Sequence, residues 1–335
     1  MDVAATQGDY EALDSRGGML LLDDRLVVRV SGTDRVSFMH GMCTADIKGL
    51  APGALTRALF LTEHAHVIGD CFIYALEEEA LWLEVDRSRW ASIRESLERF
   101  LVADDVELDE LDSLAVLAIE GWASSKVVAR CFGEAACELE HWQHQALDGF
   151  RIANLPRYGR SAFTVIAEQA ALAGVAERMK QSFPEIRELN AQTLETVRIE
   201  NGLALIGTDT NERTLALEAR LEPAIAFNKG CYVGQETIER ATAHGALKRR
   251  LYGLRISGND RPSPGALIKL EGKEVGRLTS VTQSPATGII GLAILHHSAW
   301  DIGTSVSIIC DKGTVAGLVC ELPFAQAHSA ATNEG

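Results

Sequence analysis

No stretch of this chain approaches the eighteen or so apolar residues that a membrane-spanning helix needs. The opening residues MDVAATQGDYEALDS carry neither the basic start nor the apolar segment of a secretory signal, so the expectation is a cytoplasmic protein with no membrane association. The seven cysteines (Cys43, Cys71, Cys131, Cys137, Cys231, Cys310, Cys320) are an odd number with no CxxC pair, which argues against an extracellular disulfide framework and a structural zinc site. Neither a P-loop nor a strand-linked GxGxxG occurs, so ATP and NAD have no advertised site. Positive charge is also in short supply. With 32 Lys/Arg against 47 Asp/Glu the net charge is −15, the wrong sign for a surface that holds duplex nucleic acid, and direct nucleic-acid binding is not expected.

What is present is enough chain, 335 residues, for a well-buried core and for two or three domains. The charge is uneven. Arg240 to Leu322 holds ten Lys/Arg and six Asp/Glu, a balance of +4 that leaves −19 for the rest. This asymmetry fits a separate C-terminal module whose Lys248, Arg249 and Arg250 either face an anion or acidic partner or simply form a solvated strand entrance.

RLVVRVSG alternates as a half-buried strand, and GTDRVSFMHGM opens a helix that Thr33 or Asp34 can cap. TRALFLTE, AHVIGDCFIYAL and EALWLEV read as an antiparallel meander. Trp90, Ile93, Leu97 and Leu101 recur at helical spacing behind a capping Asp86. Strands SLAVLAIEG and SAFTVIAE then alternate with helices SSKVVARCF and ALAGVAERMKQSF, an α+β pattern. Further helices are expected over NAQTLETVRIENG and over TDTNERTLALEARLEP, the latter stopped by Pro223. From Ala246 onward, five or six short alternating strands between Gly, Pro and Asn-Asp turns predict a small β-barrel. The division expected is an α+β region over 1–243, a barrel over 244–325 and a flexible tail over 326–335.

The candidate sites are few. In NKGCYVGQE, Gly230 and Gly234 flank Cys231-Tyr232-Val233 at a turn that leads toward a helix. A thiolate before a helix N-terminus, with Lys229 beside it, would be reactive or metal-binding; a buried small apolar cysteine is the plainer reading. His64 and His66 share one face if extended, and His296 and His297 point to opposite faces, so neither pair makes a metal site.

The segment Lys229, Gly230, Cys231, Tyr232, Gly234, Gln235, Glu236 resembles the signature of the YgfZ/Iba57 family, folate-binding proteins that assist iron–sulfur cluster assembly and repair and are related to the glycine-cleavage T-protein. VSGTDRVSFMHGMCTADI, RIENG and GRLTSVTQSPATGIIGLAIL resemble further family elements, and together the matches run from about Leu26 to Leu322 in family order. The resemblance implies a T-protein-like, three-part α+β ring with two interleaved antiparallel-sheet subdomains, a C-terminal β-barrel and a central channel for tetrahydrofolate or a derivative. By this analogy Glu200 receives the pteridine donors, a task that suits an acceptor-only carboxylate. Asp209 and Arg198 lie near the same pocket. Two positions depart from the pattern. PGALTRALF offers Thr56 and Arg57 where aminomethyl-transferring T-proteins are expected to carry an aspartate, and His40 stands where a glutamine or another polar residue is expected.

The function implied is a folate-binding accessory factor for synthesis or repair of iron–sulfur proteins of the four-iron, four-sulfur type, with an indirect effect on tRNA modification. Cys231 would be its reactive thiol or transient iron ligand, supported by Lys229, with no stable metal. Because one cysteine cannot hold a cluster, the cluster would be shared with a partner, an A-type iron–sulfur carrier, and passed to client enzymes. The alternative is a tetrahydrofolate-dependent aminomethyl or methyl transferase, disfavoured here by the missing carboxylate at Thr56.

Overall fold

The computed structural model describes residues 7–77, 80–243, 247–258, 260–310 and 313–324. The tail expected to fray and the domain boundary expected at 243/244 lie at or beyond the edges of the described residues. The chain divides into two compact units, one of Gly8–Leu189 with Glu222–Glu239, the other holding Asn190–Leu221 and the chain from Arg240.

The first unit contains helices α1 (Gln7–Ser15), α2 (Arg35–Met42), α3 (Arg87–Glu98), α4 (Ser124–Phe132), α5 (Glu134–Cys137) and α6 (Gln169–Ser182). Its strands are β1 (Gly18–Leu21), β2 (Arg25–Ser31), β3 (Leu55–Leu61), β4 (Val67–Ala75), β5 (Leu81–Asp86), β6 (Glu107–Glu110), β7 (Leu114–Glu120), β8 (Gln143–Leu147), β9 (Phe150–Asn154), β10 (Ala162–Glu168) and β11 (Arg187–Glu188). They form a five-stranded sheet, β3-β4-β5-β2-β6, and a six-stranded sheet, β11-β1-β7-β10-β9-β8. Pairing is antiparallel except between β1 and β11. The expected meander is β3-β4-β5. Its period-two pattern puts Ile73, Leu83 and Val28 into a core closed by Trp90, Ile93 and Leu97 of α3. Asp86 caps α3 as expected, accepting from Ser88 N at 2.7 Å.

Other expectations are corrected. Neither Thr33 nor Asp34 caps α2. Thr33 bonds the Asp105 carboxylate through both N and Oγ1, and Asp34 accepts from Asp105 N, so both residues pin a loop that is distant in sequence. The β8–β9 hairpin was not anticipated, although its turn, Asp148-Gly149, has φ of 49° and 83°, the conformation that an Asp-Gly pair favours.

The second unit contains α7 (Ala191–Glu200), capped by Asn190 through Thr193 N at 2.8 Å, and a closed barrel, β12-β15-β14-β13-β16-β17. Its strands are β12 (Arg249–Ile256), β13 (Leu267–Leu270), β14 (Lys273–Ser284), β15 (Gly288–His296), β16 (Ser305–Cys310) and β17 (Gly313–Cys320). Leu254, Ile268, Leu278, Ala293, Ile308 and Val319 fill its interior. A last helix, α8 (Gln235–Ala243), spans the join between the two units along the chain.

The helix expected over TDTNERTLALEARLEP is absent; the segment is a run of turns. The reason is local competition. Thr210 Oγ1 takes Gly207 N–H, Asp209 Oδ2 takes Leu205 N–H, Thr214 Oγ1 takes Asn211 N–H and Glu218 Oε2 takes Leu215 N–H. His296 and His297 are also not on opposite faces. His297 begins a 3-10 turn, which brings the two ring centroids to 4.0 Å.

Candidate functional site

In the first unit the signature segment lies along the end of α2. Ala226 N donates to Thr44 O at 2.9 Å and Val233 N to Gly41 O at 3.2 Å. Between these anchors Lys229 Nζ donates to the carbonyls of His40, Cys43 and Ala45 at 2.5, 2.7 and 2.7 Å. A helix leaves its last carbonyls without intrahelical partners and its C-terminus partially negative, so an ammonium is well suited to this place. All three Lys229 donors are thereby used. Burial pulls this ammonium below the ordinary lysine range.

Tyr232 is buried, with Lys229 Nζ 5.0 Å from its ring centroid, and Tyr232 N donates to Gln235 Oε1 at 3.3 Å. Gly234 has φ +87°, and a Cβ there would stand 2.7 Å from Thr62 O, so this position admits no side chain. Gly230 faces His40, whose Nε2 would lie 3.5 Å from a Cβ. His40 itself is buried; burial, then the Lys229 charge, lowers its pKa, and the neutral ring accepts from Lys48 N at 3.4 Å through Nδ1.

The role expected of Lys229 is corrected by these contacts. Lys229 clamps backbone rather than attending a thiol. Cys231 is an exposed free cysteine, not the buried one of the plainer reading, and the turn that carries it leads into α8, which begins at Gln235 as expected. Glu236 lies in the first turn of α8, and Gln235 Nε2 donates to Glu239 Oε1 at 2.6 Å. Cys43 and Cys71 are the buried cysteines of this unit. Burial pushes the Cys43 thiol up to about 11 and the Cys71 thiol well above its ordinary value.

The carboxylate missing at Thr56 and Arg57 has a near neighbour that sequence reading passed over. Asp70 on β4 holds Arg57 of β3, with Nε and Nη2 donating to Oδ2 at 2.8 and 2.6 Å. Asp70 Oδ1 has no hydrogen-bond partner among the described residues. The signal was available in AHVIGDCFIYAL, where an aspartate interrupts a strand of otherwise apolar character.

Also unforeseen was a buried ionic cluster on the face of the five-stranded sheet that carries Arg57 and Asp70. Glu84 of β5 is fully buried and receives Arg25 Nε at 2.9 Å, Arg157 Nη2 at 2.7 Å and Tyr74 Oη at 2.8 Å. Burial opposes its ionisation, but the charges of Arg157 and Arg25 with the Tyr74 and Arg25 hydrogen bonds hold its pKa below the usual range.

In the second unit, Arg198, Asp209 and Glu200 all prove buried. Arg198 Nε and Nη2 form a fork on Glu195, both at 2.7 Å; Nη2 also reaches Ser280 Oγ at 2.8 Å, and Nη1 reaches Asp209 Oδ2 at 2.7 Å and Leu203 O. Asp209 accepts in addition from Leu205 N at 2.9 Å, Thr279 Oγ1 at 2.5 Å and Ser280 Oγ at 2.7 Å. This closed network ties α7 to β14, and every Arg198 nitrogen lies within it. Arg198 and Asp209, both expected near the folate pocket, are thus joined to each other in this unit. Glu200, at the last turn of α7, has 1% exposure and accepts from Ser284 Oγ at 2.5 Å through Oε1.

Among the described residues no group of three or more His, Cys, Asp and Glu side chains is placed to hold a metal ion. No described helix is long and apolar enough to cross a membrane.

Residues 4–229 match the GCVT N-terminal domain and residues 249–326 the glycine cleavage T-protein C-terminal barrel domain. A putative chloroplastic transferase of Arabidopsis thaliana is 30% identical, over 99% of this chain and 77% of its own. An aminomethyltransferase of Oceanobacillus iheyensis is 25% identical, over 94% and 89%. The crystal structure of the glycine cleavage system aminomethyltransferase T from Bartonella henselae superposes with a TM-score of 0.87 at 20% identity, covering 95% of this chain and 88% of its own, which establishes the T-protein-like fold. These likenesses overturn the expected role in iron–sulfur assembly and repair: the matching domains and relatives are those of aminomethyltransferases.

Proposed function

Because the chain belongs to the glycine-cleavage T-protein family, we propose that it is a tetrahydrofolate-dependent transferase of an aminomethyl or methyl group from an amine donor. The observation that carries this reading is Glu200, a carboxylate of 1% exposure set at the end of α7 by the Ser284 hydroxyl. A buried, acceptor-only carboxylate fits the ring N–H and amino donors of a pteridine, which it takes side by side. Bound tetrahydrofolate would supply a nucleophilic amine nitrogen for the one-carbon unit. Glu200 orients the ring.

In the first unit, taken by itself, Asp70 is the carboxylate that Thr56 and Arg57 do not supply, with one of its oxygens fixed by Arg57. Within the superfamily, Lys229–Glu236 resembles the YgfZ/Iba57 signature. We read it as a mark of that branch, with Lys229 and Gly234 preserving a backbone clamp, and attach no iron–sulfur role to it.

Calorimetry with tetrahydrofolate and a turnover assay for methylene- or methyl-tetrahydrofolate, with methylated or aminomethylated amines as donors, test the reading. Glu200→Gln is expected to weaken folate binding by about tenfold or more. Absence of both folate binding and turnover in the unaltered protein would end the proposal.

A further inference from the structure

The basic stretch Lys248–Arg250 has no part in the transfer reading, yet Arg249 borders a polar cleft of about 580 Å³ that lies within the second unit. The turn residues Asp209 and Asn211 form one wall, and Arg249, Glu274, Arg277 and His296 of the barrel form the other. In the sheet register Arg249 pairs with His296, and Arg277 pairs with Ile294, two positions before His296 on the same strand. Directly opposed residues, and residues two apart, share a sheet face. Two guanidinium groups and an imidazole are thus gathered on one face of three adjacent strands.

These groups are only partly engaged. Arg249 gives Nε and Nη2 to Glu218 at 3.0 and 3.1 Å, and its Nη1 has no partner among the described residues. Arg277 has a 3.4 Å bond to Gly265 O and a 3.5 Å ion pair with Glu274, both long. His296 directs Nδ1 to Ser298, and its Nε2 has no partner among the described residues. The nearby Asp209 carboxylate is already saturated by Arg198, Leu205 N, Thr279 and Ser280.

We propose that this cleft binds a small, multiply charged oxyanion, with Arg249 Nη1, Arg277 and His296 as its donors and Glu274 as the counter-ion that it displaces. Planar guanidinium groups recognise carboxylate and phosphate alike through paired N–H donors. The ion pair to be exchanged is an exposed one, Arg277 and Glu274 being 61% and 55% exposed, so little holds it in place. The +4 balance between Arg240 and Leu322 raises the local concentration of anions against the acidic remainder of the chain. The inference is independent of the folate reading.

Titration calorimetry of the full chain at low salt, with pyrophosphate in one arm and tri-γ-glutamate in the other, tests it. Binding of pyrophosphate alone assigns the cleft to phosphate sources, of tri-γ-glutamate alone to carboxylate sources, and of both to either; each supports the proposal when affinity falls with added salt. Arg277→Gln is expected to weaken binding about tenfold, and Glu274→Gln, which removes the competing carboxylate, to strengthen it severalfold. Both substitutions are on exposed side chains, so the opposite signs are readable even if Arg249→Gln, whose partner Glu218 is buried, proves unstable. No binding of either probe, or affinities that ignore both Arg277→Gln and Glu274→Gln, overturns it.

Discussion

Replacing Lys229 by Met keeps most of the aliphatic stem and removes the ammonium, so it separates a clamp from a chemical group. Three carbonyls, of His40, Cys43 and Ala45, lose their donor. Hydrogen bonds to charged groups contribute about 1.5–3 kcal/mol each. The site is only half-buried and water can replace part of the loss, so about 1 kcal/mol per bond, or roughly 3 kcal/mol in all, is the expected destabilisation. For a unit of this size that lowers Tm by roughly 6–12 °C. Thermal and urea unfolding give the magnitude, and hydrogen exchange gives the location, because amides between Gly41 and Asp46 should lose protection while the barrel strands keep theirs. An unchanged midpoint and unchanged exchange, together with lost turnover, would refute the clamp and return Lys229 to the chemistry.

Two further outcomes follow from the first unit. Glu120, buried at the end of β7 beside Arg157, Arg160 and Tyr158, has its carboxyl pushed by burial up to about 8 against an ordinary 4.5, the two arginines only moderating this. The folded state therefore keeps a proton that the unfolded state releases, so this group's contribution to stability falls as pH rises from 4.5 to 8, by at most about 1.4 kcal/mol per pH unit, and levels off above. Denaturation across that range should show Glu120→Gln lacking the decline and gaining on the parent toward pH 8; parallel curves for the two proteins would contradict it. Gly234→Ala, which forces φ +87° on a residue with a Cβ 2.7 Å from Thr62 O, should destabilise by about 2 kcal/mol or more in the same assay, and a loss below about 0.5 kcal/mol would show that the turn yields.

Local signals were legible where one residue and its near neighbours decide the outcome. Asp86 caps α3 because its carboxylate meets an amide two residues on, and Trp90, Ile93 and Leu97 reach the core because 3.6-residue spacing alone puts them on one side. The barrel followed from alternation and turn chemistry. Prediction failed where a polar side chain had a choice of partner. Asp209, Thr210 and Thr214 could leave a helix intact by facing solvent; instead they bond nearby amides and the chain turns. Thr33 and Asp34 could cap α2; instead they hold Asp105, about seventy residues away.

The candidate site divides in the same way. The composition and the order of motifs were present in the linear chain, and so were the glycines of the signature. That Lys229 faces three carbonyls, that Arg198 and Asp209 saturate one another, that Asp70 stands against Arg57, and that Glu84 draws Arg25 and Arg157 into the interior were decided by tertiary structure. A charge in the sequence declares its sign and reach, but its partner depends on which distant backbone is brought beside it. The hydrophobic pattern, being short in range and without direction, can be read from the chain; hydrogen bonds, which require a particular donor at a particular angle, become determinate only when the chain has folded.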